Sequence, residues 1–243
     1  MEIKASVDMN QLKIIEKELK RFLMSYKFGL EEVKTKINIL NEEFQYIHDY
    51  NPIEHVKSRI KSPESILEKL SRKGLDISLY SIKENIRDIA GIRIVCSFVS
   101  DIYIISEMLQ KQQDLKVIKY QDYIKNPKDN GYRSLHLILE VPVFMSDRVE
   151  DVCVEVQIRT IGMDFWASLE HKIYYKYNND VPQRLKDELK EAAITVYQLD
   201  KKMENLNKEI INIKDTDCSQ GDIRNIFINN KTFYLSDELL SLE

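Results

Sequence analysis

The chain is short of breakers. Glycine (6) and proline (5) are sparse across its 243 residues, well below the usual frequencies of about 7% and 5%. A many-turned all-β chain needs far more of both, as does a collagen-like or loop-rich one, so those classes are excluded. Cysteine occurs three times, at Cys96, Cys153 and Cys218. The odd number and the lack of ligand spacing argue against a disulfide framework or a zinc site. Cys96 and Cys153 fall within apolar, strand-like runs and read as small buried hydrophobes. No run approaches the roughly 18 apolar residues of a membrane span. The opening MEIKASVDMN lacks both the basic and the apolar region of a signal peptide. The expectation is a reduced, soluble, cytoplasmic protein with no membrane partner. Neither charge sign dominates, with 36 basic against 40 acidic residues and a net charge of −4. Composition therefore gives no support for RNA or DNA binding, and any cationic site must be local. Hydrophobic residues at 43% and charged residues at 31% suffice for a packed core and exclude a disordered chain.

Periodicity divides the chain into a helical segment (1–52), a mixed core (53–180) and a long helix with a polar tail (181–243). In the first, Leu12, Ile15, Leu19, Phe22 and Tyr26 mark one helix. Val33, Ile37, Leu40, Phe44 and Ile47 mark a second, stepping 4, 3, 4, 3. Gly29 reads as the break between them, and Asn51-Pro52 closes the pair. His48-Asp49 sits at the helix end with no further ligands and reads as surface.

The core alternates between two periods. Strands are expected at 54–61, 92–98, 115–120, 132–144 and 152–159, and helices at 64–73, 101–112 and 160–177. Pro63 suits a first helical turn and Gly74 a helix end. This gives an α+β fold, about five strands with helices packed on them. After Pro182, Leu185, Leu189, Ala192, Val196, Leu199, Met203, Leu206, Ile210 and Ile213 form a coiled-coil-like seam. It is expected to pack on the N-terminal helices or on another subunit. The tail after about 215 carries no readable signal.

Residues two apart on a strand share a face, which gathers the candidate chemistry. On 132–141, Tyr132, Ser134 and His136 oppose Arg133, Leu135 and Leu137. On 151–159, Glu155, Gln157 and Arg159 oppose Val154, Val156 and Ile158. Segment 54–61 adds the basic stripe His55, Lys57, Arg59, Lys61, and the next helix puts Ser65, Lys69 and Arg72 on one face. Asp88 and Arg93 flank a buried strand, and Lys125 and Lys128 precede Tyr132. A strand and a helix start that both present cations would cradle phosphates. Asp88 and Glu155 among these cations suit Mg²⁺ on a polyphosphate, since Mg²⁺ takes one or two carboxylates plus phosphate oxygens. Neither GxxxxGK[ST] nor GxGxxG occurs, against a P-loop or Rossmann site. The residues by themselves reach a nucleotide-phosphate enzyme. A nucleotide- or RNA-binding module that lost its chemistry fits the same pattern. The acidic pair favours an enzyme, because a pure binder needs no carboxylates inside a basic pocket.

Five blocks carry a resemblance: RIKSPESILEK (59–69), RDIAGIRIV (87–95), NGYRSLHL (130–137), VEVQIRT (154–160) and WASLEHK (166–172). In order and spacing they resemble the synthetase domain of the RelA/SpoT family, and the short chain resembles its single-domain small alarmone synthetases. The resemblance implies a nucleotidyltransferase-like mixed sheet, a homotetramer, and Mg²⁺-dependent pyrophosphate transfer from ATP to the 3′-hydroxyl of GDP or GTP. It implies that Asp88 holds Mg²⁺ and that Glu155 assists the metal or deprotonates the 3′-hydroxyl. Arg59 and Arg93 would stack on adenine, and Lys61, Ser65, Lys69 and Arg72 would hold the ATP phosphates. Tyr132 would stack on guanine, with Lys128, His136 and Gln157 on the guanosine side. The positions aligned with a product-binding cleft in one subgroup, His55 and Lys57 among them, do not clearly match it, so the resemblance does not carry over allosteric activation by product.

Overall fold

A computed structural model describes residues 9–48, 50–176, 181–217, 225–228 and 231–234. They divide into two compact units, up to Lys201 and from Lys202 onward. The first opens with one helix, α1 (Met9–Ile47), where the spacing had suggested two. A lone glycine costs a helix only about 1 kcal/mol, and Gly29 has a tertiary reason to be there. A Cβ at Gly29 would lie 2.8 Å from Val152 Cγ1 and 3.0 Å from Val152 Cβ. The helix passes too close to the sheet for any side chain at that point.

Five strands follow: β1 (Ile53–Ile60), β2 (Ala90–Cys96), β3 (Lys116–Asp122), β4 (Leu135–Phe144) and β5 (Val149–Thr160). They form a mixed sheet in the order β1-β2-β5-β4-β3. The β2–β5 pair is parallel and the other three are antiparallel. Helices α2 (Pro63–Lys73), α3 (Leu79–Asn85), α4 (Val99–Gln110) and α5 (Ile161–Lys176) lie between or after the strands. Only α3 had left no readable pattern. Local chemistry sets α2: Ser62 caps its start by accepting from Ser65 N, Pro63 occupies the first turn, and left-handed Gly74 ends it. One face of the sheet buries Ile92, Ile94, Leu135, Leu137, Leu139, Val154, Val156 and Ile158. These pack with Val33 and Ile37 of α1 and Ile102, Ile105 and Leu109 of α4 in a single core. Cys96 and Cys153 are buried, as their runs suggest.

The strand expected from 132 begins at Leu135 instead. Tyr132, Arg133 and Ser134 precede it as a loop. Its course is set by Gly131, whose φ is +88° and whose Cβ position lies 2.7 Å from Ala193 Cβ. The long helix α6 (Gln183–Asp217) follows Pro182. Its seam is only partly covered: Ala193, rather than Ala192, packs with Trp166 and Ala167 of α5. Leu199 is exposed. In the second unit Met203, Leu206, Ile210 and Ile213 are exposed as well. That unit also holds a hairpin, β6 (Asn225–Ile228) with β7 (Lys231–Tyr234), in what had read as featureless tail. His48 is exposed, while Asp49 and Cys218 lie outside the described residues. No described helix is long and apolar enough to cross a membrane.

Candidate active site

Register across the sheet builds the site on the face opposite the core. Arg59 on β1 pairs with Gly91 on β2, which pairs with Glu155 on β5. One step along, Lys57, Arg93, Gln157 and His136 form a parallel row. Lys57, Arg59, Gly91, Arg93, Glu155 and Gln157 line a cleft of about 180 Å³. Two guanidiniums and an ammonium thus face a carboxylate and an amide across three strands. A larger cavity of about 670 Å³ lies between α1 and the β4–β5 turn. It contains none of the candidate residues.

Asp88 sits at the mouth of β2. Its carboxylate accepts from Lys61 Nζ at 2.5 Å and from Lys69 Nζ at 2.8 Å. Burial pushes this carboxyl up, but the two ammoniums outweigh that cost and hold it below the ordinary aspartate value. The β1–α2 turn makes the arrangement possible. Lys61 N donates to Ile89 O, fixing the end of β1 beside Asp88, and α2 returns Lys69 to the same carboxylate about two turns after its cap. Ser65 lies at the start of α2, within 3.2 Å of Ser62 Oγ. Arg72 is exposed in the last turn of α2 and is not drawn into the Asp88 cluster.

Glu155 accepts from Gln157 Nε2 at 2.9 Å and lies 3.4 Å from His136 Nδ1. Burial pushes its carboxyl up and the charge of Asp88 adds to this. The hydrogen bond and electrostatic contact with His136, helped by the hydrogen bond from Gln157, win and leave it below the ordinary glutamate range. It is an ionised acceptor at neutral pH. His136 continues the chain of contacts through Nε2, 2.7 Å from the Tyr132 hydroxyl. Lys128 Nζ stands 4.8 Å from the ring centroids of both Tyr123 and Tyr132. Tyr132 therefore reaches His136 and Arg159 from a loop, by tertiary contact and not by strand alternation.

Several participants had no role assigned from sequence. Arg159 shares the β5 face with Glu155, and its guanidinium donates to the Tyr132 hydroxyl, to Gln157 Oε1 at 2.6 Å and to Asp164 at 3.2 Å. Asp164, in the first turn of α5, also pairs with Arg93 at 3.0 Å. Tyr123 stacks edge-on against His136 and Tyr132. Alternation flagged Arg159, but nothing local marks Asp164 or Tyr123. Arg93 Nε is buried with no hydrogen-bond partner. Among the described residues no group of three or more His, Cys, Asp or Glu is placed to hold a metal. The donor set is a pair of carboxylates among cations. This fits Mg²⁺ arriving with phosphate oxygens better than a dedicated protein cage.

The same residues lie where known relatives match. Residues 58–180 match the region found in RelA / SpoT proteins. Over 202 residues the chain is 56% identical to GTP pyrophosphokinase YwaC of Bacillus subtilis, covering 83% of this chain and 96% of that protein. The crystal structure of small alarmone synthetase 2 from Bacillus subtilis, 56% identical, superposes with a TM-score of 0.73 over 79% of this chain and 99% of that one. Small alarmone synthetase 1 from Bacillus subtilis, solved with its product pppGpp, is 39% identical with a TM-score of 0.76, covering 80% and 99%. Identity at this level, over nearly the full length of each relative, shows that the chain belongs to the RelA/SpoT family.

Proposed function

We propose that the protein is an alarmone synthetase of the stringent response, a pyrophosphokinase that makes guanosine tetra- or pentaphosphate from GDP or GTP and ATP. The observation that carries this reading is the position of Glu155. It is an ionised carboxylate on a cation-lined face, between the Arg59–Arg93 cleft and the Tyr132–His136 cluster. The 3′-oxygen of the guanine nucleotide attacks the β-phosphorus of ATP, the bond from that phosphorus to the α,β-bridging oxygen breaks, and AMP leaves. Glu155 accepts the proton of the attacking hydroxyl. Arg59 and Arg93 offer planes for adenine, whereas Tyr132 offers a ring for guanine, with Lys128, His136 and Gln157 beside it. Lys61 and Lys69 now bond Asp88, and they turn to the ATP phosphates when these arrive. Ser65 and Arg72 extend the phosphate surface along α2. Mg²⁺ held by Asp88 and Glu155 would neutralise charge on the transferred group.

The same reading makes the protein a cytoplasmic homotetramer. Supporting this, exposed Met203, Leu206, Ile210 and Ile213 repeat along one helix at coiled-coil spacing. The test is direct: purified protein with labelled ATP, Mg²⁺ and GDP, GTP or GMP in turn, the products resolved by chromatography. Formation of AMP together with a 3′-pyrophosphorylated guanine nucleotide supports the reading. Nucleotide binding without any transfer refutes it.

A further inference from the structure

Two guanidiniums in the site share one carboxylate oxygen. Arg93 Nη1 lies 3.0 Å and Arg159 Nη1 3.2 Å from Asp164 Oδ1. All three groups are substantially shielded, with side-chain exposures of 33% for Arg93, 5% for Arg159 and 13% for Asp164. The remaining bonds of Arg159 go to neutral groups: the Tyr132 hydroxyl, Gln157 Oε1 at 2.6 Å and Ser134 Oγ at 3.3 Å. A guanidinium cannot shed its proton, so an almost buried one needs a counter-charge. Asp164 supplies it, and also offsets the repulsion that Arg159 exerts on Arg93. Asp164 is itself firmly placed. It stands in the first turn of α5, where Thr160 Oγ1 accepts from Met163 N and donates to Asp200 Oδ2 at 2.7 Å. Further along the helix, Trp166 Nε1 donates to Leu189 O of α6.

Building on the proposed reaction, we infer that Asp164 is a positioning residue that serves both nucleotide subsites at once. It holds Arg93 on the adenine side. On the guanine side it acts through Arg159, which fixes the hydroxyl end of the Tyr132 ring. Asp164 touches neither nucleotide. Its removal leaves two guanidiniums repelling each other beside the cleft, which frees Arg93 to swing and Tyr132 to tilt.

The experiment measures affinity by calorimetry on the full chain, with an α,β-methylene analogue of ATP and, separately, with GDP. Asp164→Asn keeps the shape and removes the charge. Both dissociation constants should rise by about tenfold, the scale of one lost hydrogen bond to a charged group. Turnover at saturation should fall less than the KM values rise. Tyr132→Phe, which removes only the hydroxyl, should weaken GDP and leave the ATP analogue unchanged. In Asp164→Asn/Tyr132→Phe, GDP should bind no more weakly than to the weaker single variant, because both changes cut one path. Asp164→Glu keeps the charge and should restore most of the affinity for both. Weakening of only one nucleotide, multiplicative losses in the double variant, or failure of both Asp164 variants to fold would each overturn the assignment. Wild-type protein that binds both nucleotides but transfers nothing would refute the proposed reaction instead. The calorimetric comparison would still stand.

Discussion

Exchanging Glu155 for glutamine separates chemistry from binding more sharply than any other single change. The glutamine has the same size, and its oxygen can still accept from Gln157 Nε2, now at 2.9 Å. Its amide faces His136 Nδ1, now 3.4 Å from the carboxylate, so the contact with His136 is the one that is lost. A net hydrogen bond is worth about 1 kcal/mol, which bounds the change in nucleotide affinity at about fivefold. The chemical step loses its proton acceptor, and general-base loss costs about 10²- to 10⁴-fold. The rate term therefore exceeds the binding term by more than an order of magnitude. Calorimetry and single-turnover product analysis on the same preparation would give both numbers. Wild-type activity should also show an acid limb. Glu155 is held below the ordinary glutamate value of 4.5, so it stays ionised through neutral pH and is lost as a base only as pH falls beneath that value. A group lowered on folding stabilises the fold above its unfolded pKa, and this contribution disappears over the same acid window. Near-normal turnover in Glu155→Gln, or a loss of affinity matching the loss of rate, would refute the reasoning.

Asp88→Asn should reduce turnover by at least about 10²-fold and raise the Mg²⁺ concentration needed for half-maximal rate, since it removes a charged oxygen from the proposed metal site. It also leaves the Lys61 and Lys69 ammoniums, only 14% and 24% exposed, without their counter-charge. A thermal melt should show a loss of about 1–3 kcal/mol, less than a fully buried pair would cost; unchanged turnover would discard the metal assignment. Tyr132→Ala should raise the KM of the guanine nucleotide by about 10- to 100-fold, the value of a base–aromatic stack, with little effect on ATP. Equal weakening of both would mark a purely structural ring. Gly29→Ala should gain about 1 kcal/mol of helix propensity and lose about 1–3 kcal/mol to overpacking, because the new Cβ would lie 2.8 Å from Val152 Cγ1. Urea unfolding should show net destabilisation that shrinks in a Val152→Ala background; equal effects in both backgrounds would remove the close contact as its cause.

Much of the architecture is legible in the linear pattern, because a half-covered sheet face and an amphipathic helix each write their period into the sequence. The run from Val154 to Ile158 alternates core and cleft in the sequence and does so in the fold. Ser62-Pro63 and Gly74 mark the ends of α2 by their own local chemistry. The pairing of β6 with β7 was legible in principle, since two short runs rich in Ile, Phe and Tyr stand close together in the chain. The continuity of α1 was not. A glycine looks the same whether it breaks a helix or lets the helix touch a sheet, and only the position of Val152 distinguishes the two.

Sequence alone determined which side chains share a face, and so brought Glu155, Gln157 and Arg159 together and set Lys69 one turn from Ser65. Those relations depend on neighbours a few residues apart, which backbone geometry fixes. Tertiary structure decided that Lys61 and Lys69 meet on Asp88, that Tyr132 meets His136 and Arg159 from a loop steered by Gly131, and that Asp164 joins Arg93 to Arg159. Such contacts join side chains from different elements. Charge attraction and burial select them only after the sheet has formed, and they leave no period in the chain.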